Sequence, residues 1–151
     1  MDRIDARILD ELQRDSAQPI AAVAETVGVS TSACHRRIKA LEADGTIAGY
    51  AARIDPAKLG LALHAVVEIT LTSQSKEAMD RFEEAVRGFE EILECRLMSG
   101  QADYLLRISA RDIGEYDRIH RACLSRLPGV SAMHSSFVIR AIKDWAGYHL
   151  R

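Results

Sequence analysis

Val27-Gly28-Val29-Ser30-Thr31-Ser32-Ala33-Cys34-His35-Arg36-Arg37-Ile38-Lys39-Ala40-Leu41 is the stretch that decides the reading of this chain. Gly28 suits the left-handed position just past a helix end. Ser30 is a good N-cap for the next helix. Between them Val29 is apolar and tucks into a core. Beyond the cap, Cys34, Ile38 and Leu41 recur at helical spacing, and Asp44-Gly45 closes the pattern. The other sides of that helix present Thr31, Ser32, His35, Arg36 and Lys39, with Arg37 at the margin.

Working outward, Ile20, Val23, Ala24 and Val27 form an apolar stripe that opens at Pro19. The first helical turn needs no donor there. Further back, Ile4, Ile8, Leu9 and Leu12 share one face of a helix starting near Asp2, where an acid suits the helix dipole. Three short helices with a tight turn between the second and third make a helix-turn-helix, whose last helix enters the major groove of DNA. Hydroxyls and an arginine near its start can read base edges. Arg37 and Lys39 are better placed to hold phosphates. The competing reading is a structural bundle with a solvated basic face. Acids are absent from positions 26–41 while three cations and a histidine gather there, which favours DNA.

Totals neither help nor forbid this. Of 151 residues, 48% are hydrophobic and 28% charged, so an ordinary globular chain is expected. The net charge is −2, so DNA contact must come from a local patch. Cys34, Cys95 and Cys123 are odd in number and widely spaced, which fits small buried residues in a reducing cytoplasm better than disulfides or zinc. The first residues have no apolar signal-peptide core, and no apolar run approaches the ~20 residues of a membrane span.

Past the head, Gly49–Ile54 alternates as a short strand, ended by Asp55-Pro56 and a turn to Gly60. The periods then switch regularly. Leu63 to Leu71 alternate as a strand. Ser75 caps a helix with Met79, Phe82, Val86 and Phe89 on one stripe. Leu93, Cys95 and Leu97 alternate, and a Gly100–Asp103 turn leads to Tyr104, Leu106 and Ile108. Asp112 and Glu115 have capping-box spacing before a helix with Tyr116, Ile119, Cys123 and Leu127. Pro128-Gly129 stops it, and a last strand runs from about Val130 to Ile142. Strand-helix-strand, twice, is the βαββαβ ferredoxin-like plan. Its bare sheet face, with Val66 and Leu105, calls for a partner, most simply a second copy. The expected fold is therefore α+β. The helix-turn-helix spans 1–48, a strand and hinge 49–60, the ferredoxin-like domain 61–143 and a C-terminal tail 144–151.

These features together resemble the leucine-responsive regulatory protein (Lrp)/AsnC family. The resemblance covers nearly the whole chain. In the head it rests on Ile4-Asp5-x-x-Ile8-Leu9, Val27-Gly28-Val29-Ser30, Arg36-Arg37-Ile38-x-x-Leu41-Glu42 and Gly45-Thr46-Ile47-x-Gly49-Tyr50. In the second domain it rests on Asp55-Pro56-x-x-Leu59-Gly60, Leu93-Glu94-Cys95, Gly100-x-x-Asp103-Tyr104 and Leu127-Pro128-Gly129-Val130. It implies a winged-type helix-turn-helix transcriptional regulator, cytoplasmic and nucleoid-associated. It also implies an amino-acid-sensing domain and dimers that assemble further into octamers. The amino acid would bind between subunits near Gly100, Gln101, Asp103 and Tyr104, approached by Met133, Ser135 and Ser136.

The chemistry of such a site is reasonable. Asp103 could take an ammonium, and backbone N–H groups around Gly100 a carboxylate. Many relatives carry an acid where this chain has Gln101. The alternative for Gly100–Tyr104 is a plain hairpin turn, and for Ser135 and Ser136 ordinary interface polarity. No cofactor or metal is expected. Two rival functions are a haem-precursor decarboxylase and an amino-acid-binding module that regulates an enzyme without DNA. His35, His64, His120, His134 and His149 show neither metal spacing nor a paired nucleophile, and the basic third helix argues against both rivals.

Overall fold

The structure, a computed structural model, describes residues 1–150. The chain forms two compact units. One is Met1–Arg53 together with the segment from Ile142, and the other is Ile54–Ala141.

The first unit holds three helices, α1 (Arg3–Arg14), α2 (Ile20–Val27) and α3 (Thr31–Ala43). Each boundary has a chemical cause. Asp2 caps α1 by accepting from the N–H groups of Ile4 and Asp5, and the Asp5 carboxylate accepts from the Asp2 N–H in return. Gly28 stops α2 at φ 82°, letting the Val29 N–H reach back to the Ala24 carbonyl at 3.0 Å. The Arg7 guanidinium donates to the Thr26 and Val27 carbonyls at the same helix end. Ser30 then caps α3 through the Ala33 N–H. Ile8, Val23, Ala24, Val27, Cys34 and Ile38 form the core, with Ile4, Leu12, Ile20, Val29 and Ile47 packed on it.

Two features of this unit differ from the sequence expectation. Residues 49–54 form no strand. Alternation alone makes no strand, because backbone groups need a neighbouring ladder and the head's helices offer none. The segment from 144, expected as a separate tail, groups with the head. The Gln13 side-chain amide brackets Tyr148, donating to its carbonyl at 3.1 Å and accepting from its N–H at 2.6 Å. Gly147, at φ 104°, makes the close approach possible, since an added Cβ would lie 2.5 Å from Gln13 Oε1.

The second unit contains β1 (Leu63–Leu71), α4 (Lys76–Arg87), β2 (Ile92–Leu97), β3 (Tyr104–Ala110), α5 (Ile113–Ala122) and β4 (Val130–Phe137). The four strands make one antiparallel sheet in the order β2-β3-β1-β4, as the doubled βαβ pattern requires. Ala65, Val67, Ile69 and Leu71 alternate into a core shared with Tyr104, Leu106, Ile108, Phe82, Val86, Tyr116 and Leu124.

The edge strands depart from the simple pattern. A bulge between Ile92 and Glu94 shifts β2, so Ile92 and Cys95 pack on the core while Leu93 is 60% exposed. Leu97, at the strand end, is also exposed. β4 stops at Phe137 rather than Ile142. The Val138 N–H makes a last bond to the His64 carbonyl, and residues 139–142 have no strand to pair with. The uncovered sheet face is mixed rather than apolar. Val66 and Leu105 lie there beside Glu68, Arg107 and His134, whose registers place them on the same side.

Candidate nucleic-acid interface and ligand loop

α3 is a 13-residue helix whose buried side is Cys34, Ile38 and Leu41. That packing turns Thr31, Ser32, His35, Arg36 and Lys39 to solvent, while Arg37 is half-buried. The six residues singled out in the sequence therefore do lie on one helix, but not in one state. Arg36 has no carboxylate within ion-pair distance among the described residues. Lys39 Nζ lies 2.6 Å from Glu42 Oε2, and Tyr50 donates to the other Glu42 oxygen at 3.0 Å. Those two bonds, Lys39 first, hold the Glu42 carboxyl below its usual range. Arg37 reaches back to the N-cap Asp2 and to Asp5 on α1, at 2.7 and 2.8 Å. Ser32 Oγ shares a 3.2 Å hydrogen bond with the capping Ser30. The first turn of α3 also presents N–H groups without intrahelical partners, a natural cradle for a phosphate.

The second candidate is the turn between β2 and β3. Here the polar groups are already engaged. Asp103 is 8% exposed. Its Oδ2 accepts from the Leu71 N–H at 2.7 Å and its Oδ1 from the Gln74 amide at 2.6 Å. Its own backbone bonds the Ile69 carbonyl and the Met98 N–H. Tyr104 is a core residue. Its ring packs on Phe82 at 4.6 Å, and its hydroxyl donates to Glu83 at 2.8 Å. Burial, reinforced by that carboxylate, pushes its phenol well up. Gly100 and Gln101 remain exposed.

β4 does not bring its three candidates to the turn within one chain. The register aligns Met133 with Ile69 and Tyr104, two strand spacings or about 10 Å across the sheet. Ser135 lies on the helix-covered face, where the Tyr116 hydroxyl bonds it at 2.5 Å. Ser136 lies on the opposite face. A cavity of about 340 Å³ does open beside the turn, lined by Gln74, Met79, Leu97, Met98, Ser99, Gly100 and Asp103. Sequence reading missed Gln74 and Met79. Their signal would have been the strand-to-helix connection after β1, which ends at the same edge as the turn.

Residues 64–147 match the model of the Lrp/AsnC ligand-binding domain, and residues 1–42 that of the AsnC-type helix-turn-helix domain. The chain belongs to the Lrp/AsnC family. Like its Lrp/AsnC relatives it is a helix-turn-helix transcriptional regulator carrying a ligand-binding domain. It is 48% identical to an HTH-type transcriptional regulator, y4sM, of Sinorhizobium fredii over 77% of this chain and 91% of that protein. It is 38% identical to the leucine-responsive regulatory protein of Haemophilus influenzae over 95% of this chain and 87% of that one. Among solved structures, an AsnC family transcriptional regulator of Agrobacterium tumefaciens superposes with a TM-score of 0.92, at 38% identity over 98% of this chain and 96% of that one. The transcriptional regulator NMB0573 of Neisseria meningitidis, crystallised as its L-Met complex, gives 0.90 at 33% identity over 95% and 93%.

Among the described residues no helix is long and apolar enough to cross a membrane. Cys34 and Cys123 are buried and Cys95 is half-buried. Burial pushes all three thiols up, away from the reactive thiolate.

Proposed function

We propose that this regulator reads double-stranded DNA through the solvent face of α3, with Arg36 as its principal base-reading side chain. Thr31, Ser32 and His35 flank it near the helix start, and Lys39 holds a phosphate. The observation that carries this reading is Arg36 itself, an exposed guanidinium with no ion-pair partner among the described residues, on a helix whose outward side is set by three buried residues. The chain acts as a homodimer, with further assembly to octamers, so that several heads engage one operator. With a net charge of −2 a single head binds poorly, and linking heads supplies the affinity. Exposed Leu93 and Leu97 on the edge strand β2, and Phe137, Val138 and Ile139 at the end of β4, suit contact with further copies. Its place is the cytoplasm, on the nucleoid. We read it as a regulator and not an enzyme because its relatives are named as transcriptional regulators.

An amino acid is the effector this reading favours, because the Neisseria meningitidis relative was crystallised as an L-Met complex and a cavity opens in this chain beside the turn between β2 and β3. Backbone around Gly100 and the exposed Gln101 would meet the ligand. Asp103 would shape the turn, and Met133, Ser135 and Ser136 would reach the site only from another copy. The ligand acts by favouring one arrangement of heads over another. The test has two steps. Wild-type protein is used to enrich duplexes from a random-sequence pool, and a bound, recurrent sequence is the expected result. The common amino acids are then screened for a shift in that duplex's affinity. Recovery of no preferred sequence removes the DNA reading, and no shift with any amino acid removes the effector reading alone.

A further inference from the structure

Arg37 stands in the middle of the cationic run of α3, yet its guanidinium is spent inside the head. Nη1 donates to Asp2 Oδ2 at 2.7 Å and to Asp5 Oδ1 at 2.8 Å. Those carboxylates are themselves interlocked. Asp2 Oδ1 accepts from the Ile4 and Asp5 N–H groups, and Asp5 Oδ2 accepts from the Asp2 N–H at 3.0 Å. One nitrogen therefore closes a ring that joins the first turn of α1 to the middle of α3, 32 and 35 residues later. The Arg37 and Asp5 side chains are 29% and 16% exposed, so the pair is more sheltered than the other pairs of the head. The cluster of two carboxylates and one guanidinium carries a net negative charge, which disfavours a phosphate at this point.

We propose that Arg37 is a positioning residue for DNA reading. It pins α3 to the capped end of α1 and so sets the angle at which Arg36 and the start of α3 meet the groove. This rests on the DNA reading above. Arg37 lies six residues from Thr31, about 9 Å along the helix axis. A tilt of about 10° about the clamp would move the start of α3 by roughly 1.5 Å, enough to lose a hydrogen bond to a base edge. Burial of Cys34, Ile38 and Leu41 sets which side of α3 faces out, and the charge-assisted bonds of Arg37 add a directional restraint on its tilt that apolar burial, being non-directional, does not supply.

The full chain and the duplex it enriches from a random pool provide the test, with an unrelated duplex as comparator. Asp5→Asn and Arg37→Gln should each weaken binding to the enriched duplex roughly three- to tenfold, the size of coupling a sheltered pair shows. The double variant should lose no more than the worse single. Binding to the unrelated duplex should hold, and the slope of log affinity against log salt should stay at its wild-type value. Asp2→Ser guards against a folding artefact, because serine keeps the cap while removing the charge. It should melt like wild type and still lose specific affinity. The proposal is overturned if Arg37→Gln lowers the salt slope by about 0.9, the signature of a lost phosphate contact. It is equally overturned if Asp5→Asn or Asp2→Ser leaves specific affinity unchanged or raises it, as removal of a charge that repels DNA would. If the wild-type chain enriches no duplex, the DNA reading itself fails and takes this inference with it. Enrichment with a lowered slope fails the inference alone.

Discussion

The solvent face of α3, marked out by its own residue pattern, and the turn between β2 and β3, implied by the family resemblance, are treated differently by the structure. On α3 the key side chain, Arg36, is exposed and has no ion-pair partner among the described residues. At the turn the key side chain, Asp103, is buried and accepts hydrogen bonds on both oxygens. A polar residue can bind a ligand only with groups the fold has left free. By that measure α3 is prepared to bind as it stands, while the turn binds mainly with backbone and with what another copy adds.

The largest expected effect tests the turn. Asp103→Ala strands the Leu71 N–H and the Gln74 amide and should destabilise the protein by about 2–3 kcal/mol, the range for a buried hydrogen-bonded carboxylate. Thermal unfolding measures it. A variant as stable as wild type would mean that Asp103 is free for a ligand after all. Arg36→Ala is the counterpart on α3. It should cost ~1–3 kcal/mol in binding to the enriched duplex and relax specificity at one base. Stability should stay within about 0.5 kcal/mol, because nothing in the fold leans on an exposed side chain. Loss of stability without loss of specificity would reverse the contrast. Ser135→Ala is smaller again. It removes the acceptor of the Tyr116 hydroxyl and should cost about 1 kcal/mol of stability. An unchanged melting point with altered ligand response would return Ser135 to the effector site.

Why one region was more legible than the other follows from range in sequence. The head is written in local signals. Asp2, Gly28 and Ser30 mark helix ends within four residues of the bonds they make. The apolar stripes then leave a single way to pack. The turn depends on partners far away. Asp103 meets Leu71 and Gln74, 32 and 29 residues earlier, and no spacing announces that. The same distance hid the pairing of Arg37 with Asp2. Edge strands were misread for a related reason. Alternation put Leu93 on one face with Cys95 and suggested a strand at 49–54, but a bulge in β2 turns Leu93 outward and residues 49–54 have no neighbour to pair with, and both are tertiary facts.

The smallest effect is one of pH, and it extends the contrast to the rest of the second unit. Glu115 has capping-box spacing from Asp112, and Asp112 does cap the Glu115 N–H at 2.8 Å. The return bond goes one residue further back, however. Glu115 takes the Arg111 N–H at 2.6 Å and the Arg111 guanidinium at 2.7 Å. The Arg111 side chain first, then its N–H, holds the Glu115 carboxyl down to about 2 from 4.5. A depressed carboxylate stabilises the fold above its unfolded value and loses that contribution as pH falls through its folded value. The melting-point gap between wild type and Glu115→Gln should therefore be greatest above pH 4.5 and shrink toward pH 2. The gap itself should be modest, because exposed pairs are screened by solvent. A gap that stays constant down to pH 2 would show that the Arg111 pairing does not persist in solution. The acid would then be free, like Arg36, and the division between a spent sheet domain and an open recognition helix would be less sharp than the geometry draws it.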